Sequence, residues 1–175
     1  MKIQSTNFNG LKVIKGRNHF DKRGYFREVY KNNFLKKKFV LWCVSRSKKN
    51  VIRGLHIQKK ISQNILVSVL KGKVFDVVID LRKKSKTYGK CHYITLSEKN
   101  AISLYIPAGF AHGFYSISSD NLVLYGISKY HSKKNEVGII WNDKDLKIKW
   151  PSKKVIVSKK DKGNLTFKKY ILNKN

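Results

Sequence analysis

From Phe39 onward the chain is a succession of short apolar runs, each ended within a few residues by a turn signal, with no long helical periodicity between them. The runs Ile65–Leu70, Lys73–Asp80, His92–Leu96, Ser103–Ile106, Gly113–Ile117 and Leu122–Ser128 all have the length of strands. Strands this short and evenly spaced bury their faces by packing sheet on sheet. The expected fold is therefore all-β, a β-sandwich or jelly-roll barrel with a few short helices. Lys71-Gly72, between two of the runs, reads as a hairpin turn. Upstream, residues 1–14 read as one opening strand, Asp21 to Gly24 as a turn between aromatic residues, and 31–38 as a short helix. The last apolar segment, Leu165 to Leu172, reads as a strand or a short helix. Without an internal repeat or a flexible linker, residues 1–175 are expected to form a single domain.

Composition narrows the function classes. The net charge is +29, from 39 Lys and Arg against 10 Asp and Glu, which raises nucleic acid as a partner. The basic residues, however, are mostly lysines scattered as small clusters such as 36–38, 83–84 and 159–160, whereas phosphate and base readout favour arginine. No helix-turn-helix, zinc-finger or RNA-recognition signature accompanies them, so no specific nucleic-acid partner is expected. No apolar run reaches the roughly 18–20 residues that span a bilayer, and the first ten residues lack a signal-peptide core. A cytoplasmic protein with no membrane partner is expected, with Cys43 and Cys91 as reduced, incidental thiols.

Two stretches carry chemistry. In Val51–Gln58, VIRGLHIQ, apolar residues surround Arg53, Gly54 and His56. Arginine offers a planar fork for phosphate or carboxylate, the glycine allows close backbone approach, and histidine can give or take a proton near neutrality. In Tyr105–Phe114, YIPAGFAHGF, Pro107 and Gly109 punctuate a turn before His112. A barrel that returns His112 beside His56 places two titratable groups in one apolar mouth. The P-x-G-x-x-H spacing resembles the second motif of the cupin superfamily, a jelly-roll fold. Metal-binding cupins carry an H-x-H pair in their first motif; here that place holds His56-Ile57-Gln58, so no metal site is expected.

The resemblance then becomes specific. FDKRGYFREVY at 20–30, SRSKKNVIRGLHIQ at 45–58, GKVFDVVIDLRKKSKTYGK at 72–90, LSEKN at 96–100, LYIPAGFAHGF at 104–114, IIWNDKDLKIKWP at 139–151 and SKKD at 158–161 follow one another in a shared order. Together they are similar to the dTDP-4-dehydrorhamnose 3,5-epimerase family, metal-free cupin-like isomerases of deoxysugar nucleotide biosynthesis. The resemblance implies an epimerase inverting C3 and C5 of a 4-keto-6-deoxyhexose nucleotide, with no cofactor and a homodimeric assembly. It implies His56 as catalytic base, Asp161 as its carboxylate partner and Tyr130 as the catalytic tyrosine. Arg23, Phe26, Glu28, Arg53, Gln58 and His112 become substrate-binding residues. The chain also departs from its relatives. Leu41 and Cys43 stand where Gln and Asn are usual, Ile65 stands where a Lys is usual, and the loop from Tyr130 to Trp141 is one residue longer. Those departures keep two alternatives open: an epimerase of C3 alone, and a catalytically silent sugar-nucleotide binder.

Overall fold

In the computed structural model, which describes residues 1–173, the strands are β1 (Lys2–Ser5), β2 (Lys12–Lys15), β3 (His19–Asp21), β4 (Gly24–Phe26), β5 (Leu41–Lys48), β6 (Val51–Gln58), β7 (Ile65–Lys71), β8 (Lys73–Asp80), β9 (Cys91–Ser97), β10 (Ile102–Ile106), β11 (Phe110–Ser116), β12 (Asp120–Ile127), β13 (Glu136–Gly138) and β14 (Ile156–Val157). Three short helices join them, α1 (Asn32–Leu35), α2 (Lys159–Lys162) and α3 (Phe167–Leu172). One large sheet runs β1-β2-β10-β7-β12-β5; the other runs β13-β6-β11-β8-β9, with β14 added parallel to β6, and β3 and β4 form a separate antiparallel hairpin. The fold is the cupin-like jelly roll that the strand spacing and motifs led one to expect.

The period-two alternation of strands decides which residues face which side. Val74 and Val78 of β8, Phe110 and Phe114 of β11, and Val67, Val69 and Val123 meet between the sheets. The intervening Val77, Ile79 and Ala111 face the other way. There, with Leu55 and Ile57 of β6, they are covered by the C-terminal tail, including Trp150, Phe167 and Tyr170. This second cover explains why β8 reads as a continuous apolar run rather than an alternating one. A third cluster, Ile14, Leu35, Leu66 and Tyr105, closes the outside of the first sheet beneath α1.

Three expectations are corrected. Residues 1–14 form two strands, β1 and β2, paired antiparallel around a turn fastened by Thr6, whose hydroxyl donates to the Phe8 and Leu11 carbonyls. The helix expected over 31–38 covers only Asn32–Leu35 and ends at Lys36, which is left-handed at φ 48°. Lys71-Gly72 is not a hairpin. β7 pairs with β10 and β12, whereas β8 pairs with β9 and β11, so the chain turns a corner from one sheet to the other. Gly72 allows it with φ +79°, and a Cβ there would stand 2.7 Å from the Asn121 side chain. Buried Asn121 holds the corner, accepting the Lys73 N–H at 3.0 Å and donating to the carbonyls of Ser47 and Ser118. The tail segment resolves as helix α3, capped by Thr166.

The loop after β8 is closed by fully buried Asp80, which accepts from Arg82 Nε and an Arg82 terminal nitrogen and from the hydroxyls of Ser85 and Thr87. Burial alone would raise this carboxyl, yet those donors bring it down to about 2. A depressed pKa contributes stability above the unfolded value, near about 3.9, that is lost as the pH falls through about 2. Asp80→Ala leaves Arg82 and two hydroxyls without their acceptor. The expected loss is about 3–5 kcal/mol, seen by calorimetry at pH 7 as a Tm lower by roughly 6–20 °C. An unchanged Tm would contradict that account.

Candidate active site

The same alternation that sends Leu55 and Ile57 outward turns His56 and Gln58 of β6 inward. On the neighbouring strand β11, Phe110, His112 and Phe114 face inward, and the register sets His112 directly opposite His56. Both imidazoles therefore line one cleft of about 640 Å³, a volume suited to a small organic ligand. Gly54 makes this pairing close. With φ +111°, its missing Cβ would stand 2.6 Å from the His112 carbonyl oxygen and 2.8 Å from Gly113 Cα.

Asp161 arrives from the other end of the chain. β14 adds to β6, and Ser158 then caps α2 by accepting the Asp161 N–H at 3.0 Å, the S-x-x-D signature of a helix start. Asp161 is buried; one oxygen lies 2.6 Å from His56 Nε2 and the other accepts the Gly54 N–H at 3.2 Å. A carboxylate only accepts, so Nε2 carries the proton and Nδ1 keeps the lone pair. Burial by itself would raise the Asp161 carboxyl. The hydrogen bond from His56, the Gly54 N–H and the Lys160 charge outweigh it and hold the group below the usual carboxylate value.

His56 Nδ1 faces a second carboxylate, Glu136 of β13, at 3.6 Å. The other Glu136 oxygen meets Lys160 Nζ at 2.5 Å and His131 Nε2 at 3.3 Å. Burial pushes the Glu136 carboxyl up, but Lys160, with His56 and His131, brings it below its ordinary value. His112 Nε2 bonds Asp76, which is fully buried, at 2.8 Å. Arg53 is braced by donating to Ser47 Oγ at 2.9 Å and to the Arg46 carbonyl at 3.0 Å. Gln58 accepts the Ser132 N–H at 3.3 Å. Tyr125 forms part of the wall, its hydroxyl 3.0 Å from Ser45 Oγ, and burial pushes that phenol well above its usual range.

Of the residues singled out from sequence, His56, Asp161, Arg53, Gln58 and His112 meet in the cleft. Four do not. Arg23 and Phe26 lie on and beside the exposed β3–β4 hairpin, Glu28 follows it and pairs with Lys31, and Tyr130 is 69 % exposed and outside the lining. In extended backbone, successive side chains point opposite ways, so the loop that turns His131 into the cleft turns Tyr130 out. Ile65 lines the cleft beside Ile127, whereas Leu41 and Cys43 are outside the lining. Asp76 and Glu136, neither of them singled out from the sequence, complete the site together with His131, the neighbour of Tyr130. Asp76 had a signal in the sequence, an acid on the inward face of an apolar strand, which needs a partner when buried.

The whole chain can be placed among known proteins. The family model for dTDP-4-dehydrorhamnose 3,5-epimerase matches residues 5–169. The chain is 39% identical over 166 residues to the dTDP-4-dehydrorhamnose 3,5-epimerase of Methanothermobacter thermautotrophicus, covering 90% of each. It is 37% identical to the enzyme of that name from Shigella flexneri, covering 95% of this chain and 96% of the other. The crystal structure of dTDP-6-deoxy-D-glucose-3,5-epimerase from Legionella pneumophila, in complex with dTDP-4-keto-L-rhamnose, superposes with a TM-score of 0.89. It is 38% identical, and the match covers 94% of this chain and 92% of that one. No described helix is long and apolar enough to cross a membrane. The chain belongs to the dTDP-4-dehydrorhamnose 3,5-epimerase family, a family of isomerases.

Proposed function

We propose that the cleft inverts C3 and C5 of a dTDP-4-keto-6-deoxyhexose, with His56 as the base. The observation that carries this reading is the His56–Asp161 pair at 2.6 Å, which leaves a lone pair on Nδ1 inside the cleft. Both carbons flank the C4 ketone, so a proton leaving either one generates an enolate on the same oxygen. His56 Nδ1 takes the proton, and the imidazolium is held between Asp161 and Glu136. Positively polarised groups must meet the enolate oxygen. With Ile65 contributing no charge, the Arg53 guanidinium is assigned to it. The reaction is redox-neutral and calls for no redox cofactor. Both cysteines are free, which fits the reducing cytoplasm where we place the protein.

We further propose a homodimer in which the β3–β4 hairpin closes the partner's cleft. All six strand residues of the hairpin are exposed, Phe20 at 74 % and Phe26 at 68 %, a surface more apolar than a free hairpin warrants. Arg23 and Phe26 thus sit on an element that has no cleft of its own. Coexpressing Arg23→Ala and His56→Asn chains tests this. A mixed pair has one intact site, so random pairing restores roughly a quarter of the sites. Activity no greater than the sum of the two parents would refute it.

The activity itself is tested by incubation with dTDP-4-keto-6-deoxyglucose in D₂O, followed by mass and proton NMR analysis. Deuterium at C3 and C5 is expected. Deuterium at C3 alone identifies a single-centre epimerase, and none at either identifies a binder or a different substrate.

A further inference from the structure

We propose that His131 returns the proton on the face opposite His56, in the place that the family resemblance gave to Tyr130. This inference rests on the epimerase reading above and deepens it. Inversion beside a ketone needs a base on one face and a proton donor on the other. A pyranose ring fits between two such groups when each comes within about 3–3.5 Å of the reacting carbon.

The loop that presents the donor is pinned on both sides of residues 130 and 131. Gln63 Nε2 donates to the Lys129 carbonyl at 2.7 Å, and the Ser132 N–H donates to Gln58 Oε1 at 3.3 Å. Between these anchors, the Tyr130 phenol points to solvent and the His131 ring lines the cleft. Glu136 ties the two imidazoles into one site, with one oxygen toward His56 Nδ1 and the other toward His131 Nε2. The rings thus stand at opposite ends of a single carboxylate, which Lys160 holds in place. Tyr125 is no rival donor, because its hydroxyl is buried on Ser45.

The step balances without any further reactant. The C–H bond breaks toward His56 Nδ1, and its electron pair moves onto the C4 oxygen as the enolate. The pair then returns to carbon and forms a new C–H bond with the Nδ1 proton of the His131 imidazolium, whose Nε2 keeps its own proton, facing Glu136. His56 gives its proton to water and His131 takes one up. The 42 % exposure of the His131 side chain lets solvent reload it.

The experiment compares deuterium wash-in with net inversion for the unaltered enzyme, His131→Asn, His131→Tyr and Tyr130→Phe, using dTDP-4-keto-6-deoxyglucose in D₂O. His131→Asn is expected to keep wash-in, because His56 still removes and replaces the proton on its own face. Its net inversion should fall by about 10²-fold or more, and His131→Tyr should recover part of it. A loop that merely lost its shape would depress wash-in and inversion together, which would overturn the assignment. Inversion at the normal rate in His131→Asn would also overturn it, as would a loss confined to Tyr130→Phe. No wash-in by the unaltered enzyme would overturn the epimerase reading itself, and this inference with it.

Discussion

His56→Asn is expected to abolish deuterium wash-in at C3 and at C5 together, with a fall in turnover of about 10³-fold or more. The amide fills much of the same space but extends only about as far as Nδ1, so Asp161 loses the partner it meets at 2.6 Å and keeps the Gly54 N–H. The amide has no lone pair basic enough to take a carbon-bound proton. Without that step no enolate forms, and neither face can exchange. Substrate affinity, measured by calorimetric titration with the substrate nucleotide, should change far less than turnover. Arg53, held on Ser47 Oγ and the Arg46 carbonyl, is untouched. A variant that still washed deuterium into both carbons would remove His56 from the mechanism.

Asp161→Asn is the second large effect, and it works through tautomer rather than through loss of the base. The carboxylate can only accept, so it forces the His56 proton onto Nε2 and leaves Nδ1 free in the cleft. An asparagine amide can present its N–H to Nε2 instead, which favours the proton on Nδ1 and blocks the lone pair that does the work. The change also removes the negative charge that stabilises the imidazolium. A fall in turnover of about 10²–10⁴-fold is expected, with wash-in and inversion reduced in the same proportion. The Gly54 N–H retains an oxygen to donate to, so the fold is expected to hold. Normal near-ultraviolet circular dichroism with turnover intact would refute the tautomer argument. Because Asp161 is held below the usual carboxylate value, its charge is lost at a lower pH than that of a free aspartate.

Much of this architecture is legible in the residues, and what is not has physical causes. Strand positions follow from turn chemistry and period-two burial, both local, so β9 to β12 fall close to where the sequence puts them. Pairing is not local. Lys71-Gly72 carries a hairpin's residues, but buried Asn121, far along the chain, makes it a corner between sheets. His56 and His112 are readable because each sits in a motif with glycine nearby; Asp161 is reached only through the family resemblance of its S-x-x-D segment, in which Ser158 caps α2. Asp76 is marked only by its place in an apolar strand and Glu136 not at all; the folded sheet brings them against His112 and His56. Tyr130 and His131 are neighbours in sequence, and which of them enters the cleft depends on the loop's two anchors, Gln63 and Gln58, on distant strands and turns.

The central claim is that Nδ1 of His56 faces the carbons beside the ketone of a nucleotide-bound sugar. A crystal structure of this protein with dTDP-4-keto-L-rhamnose, the ligand seen in the Legionella relative, tests it most directly. The account predicts the sugar in the cleft, with C3 or C5 about 3–3.5 Å from His56 Nδ1 and Asp161 still on Nε2. A sugar seated elsewhere, or one in the cleft with His56 Nδ1 turned away from both carbons, would contradict it.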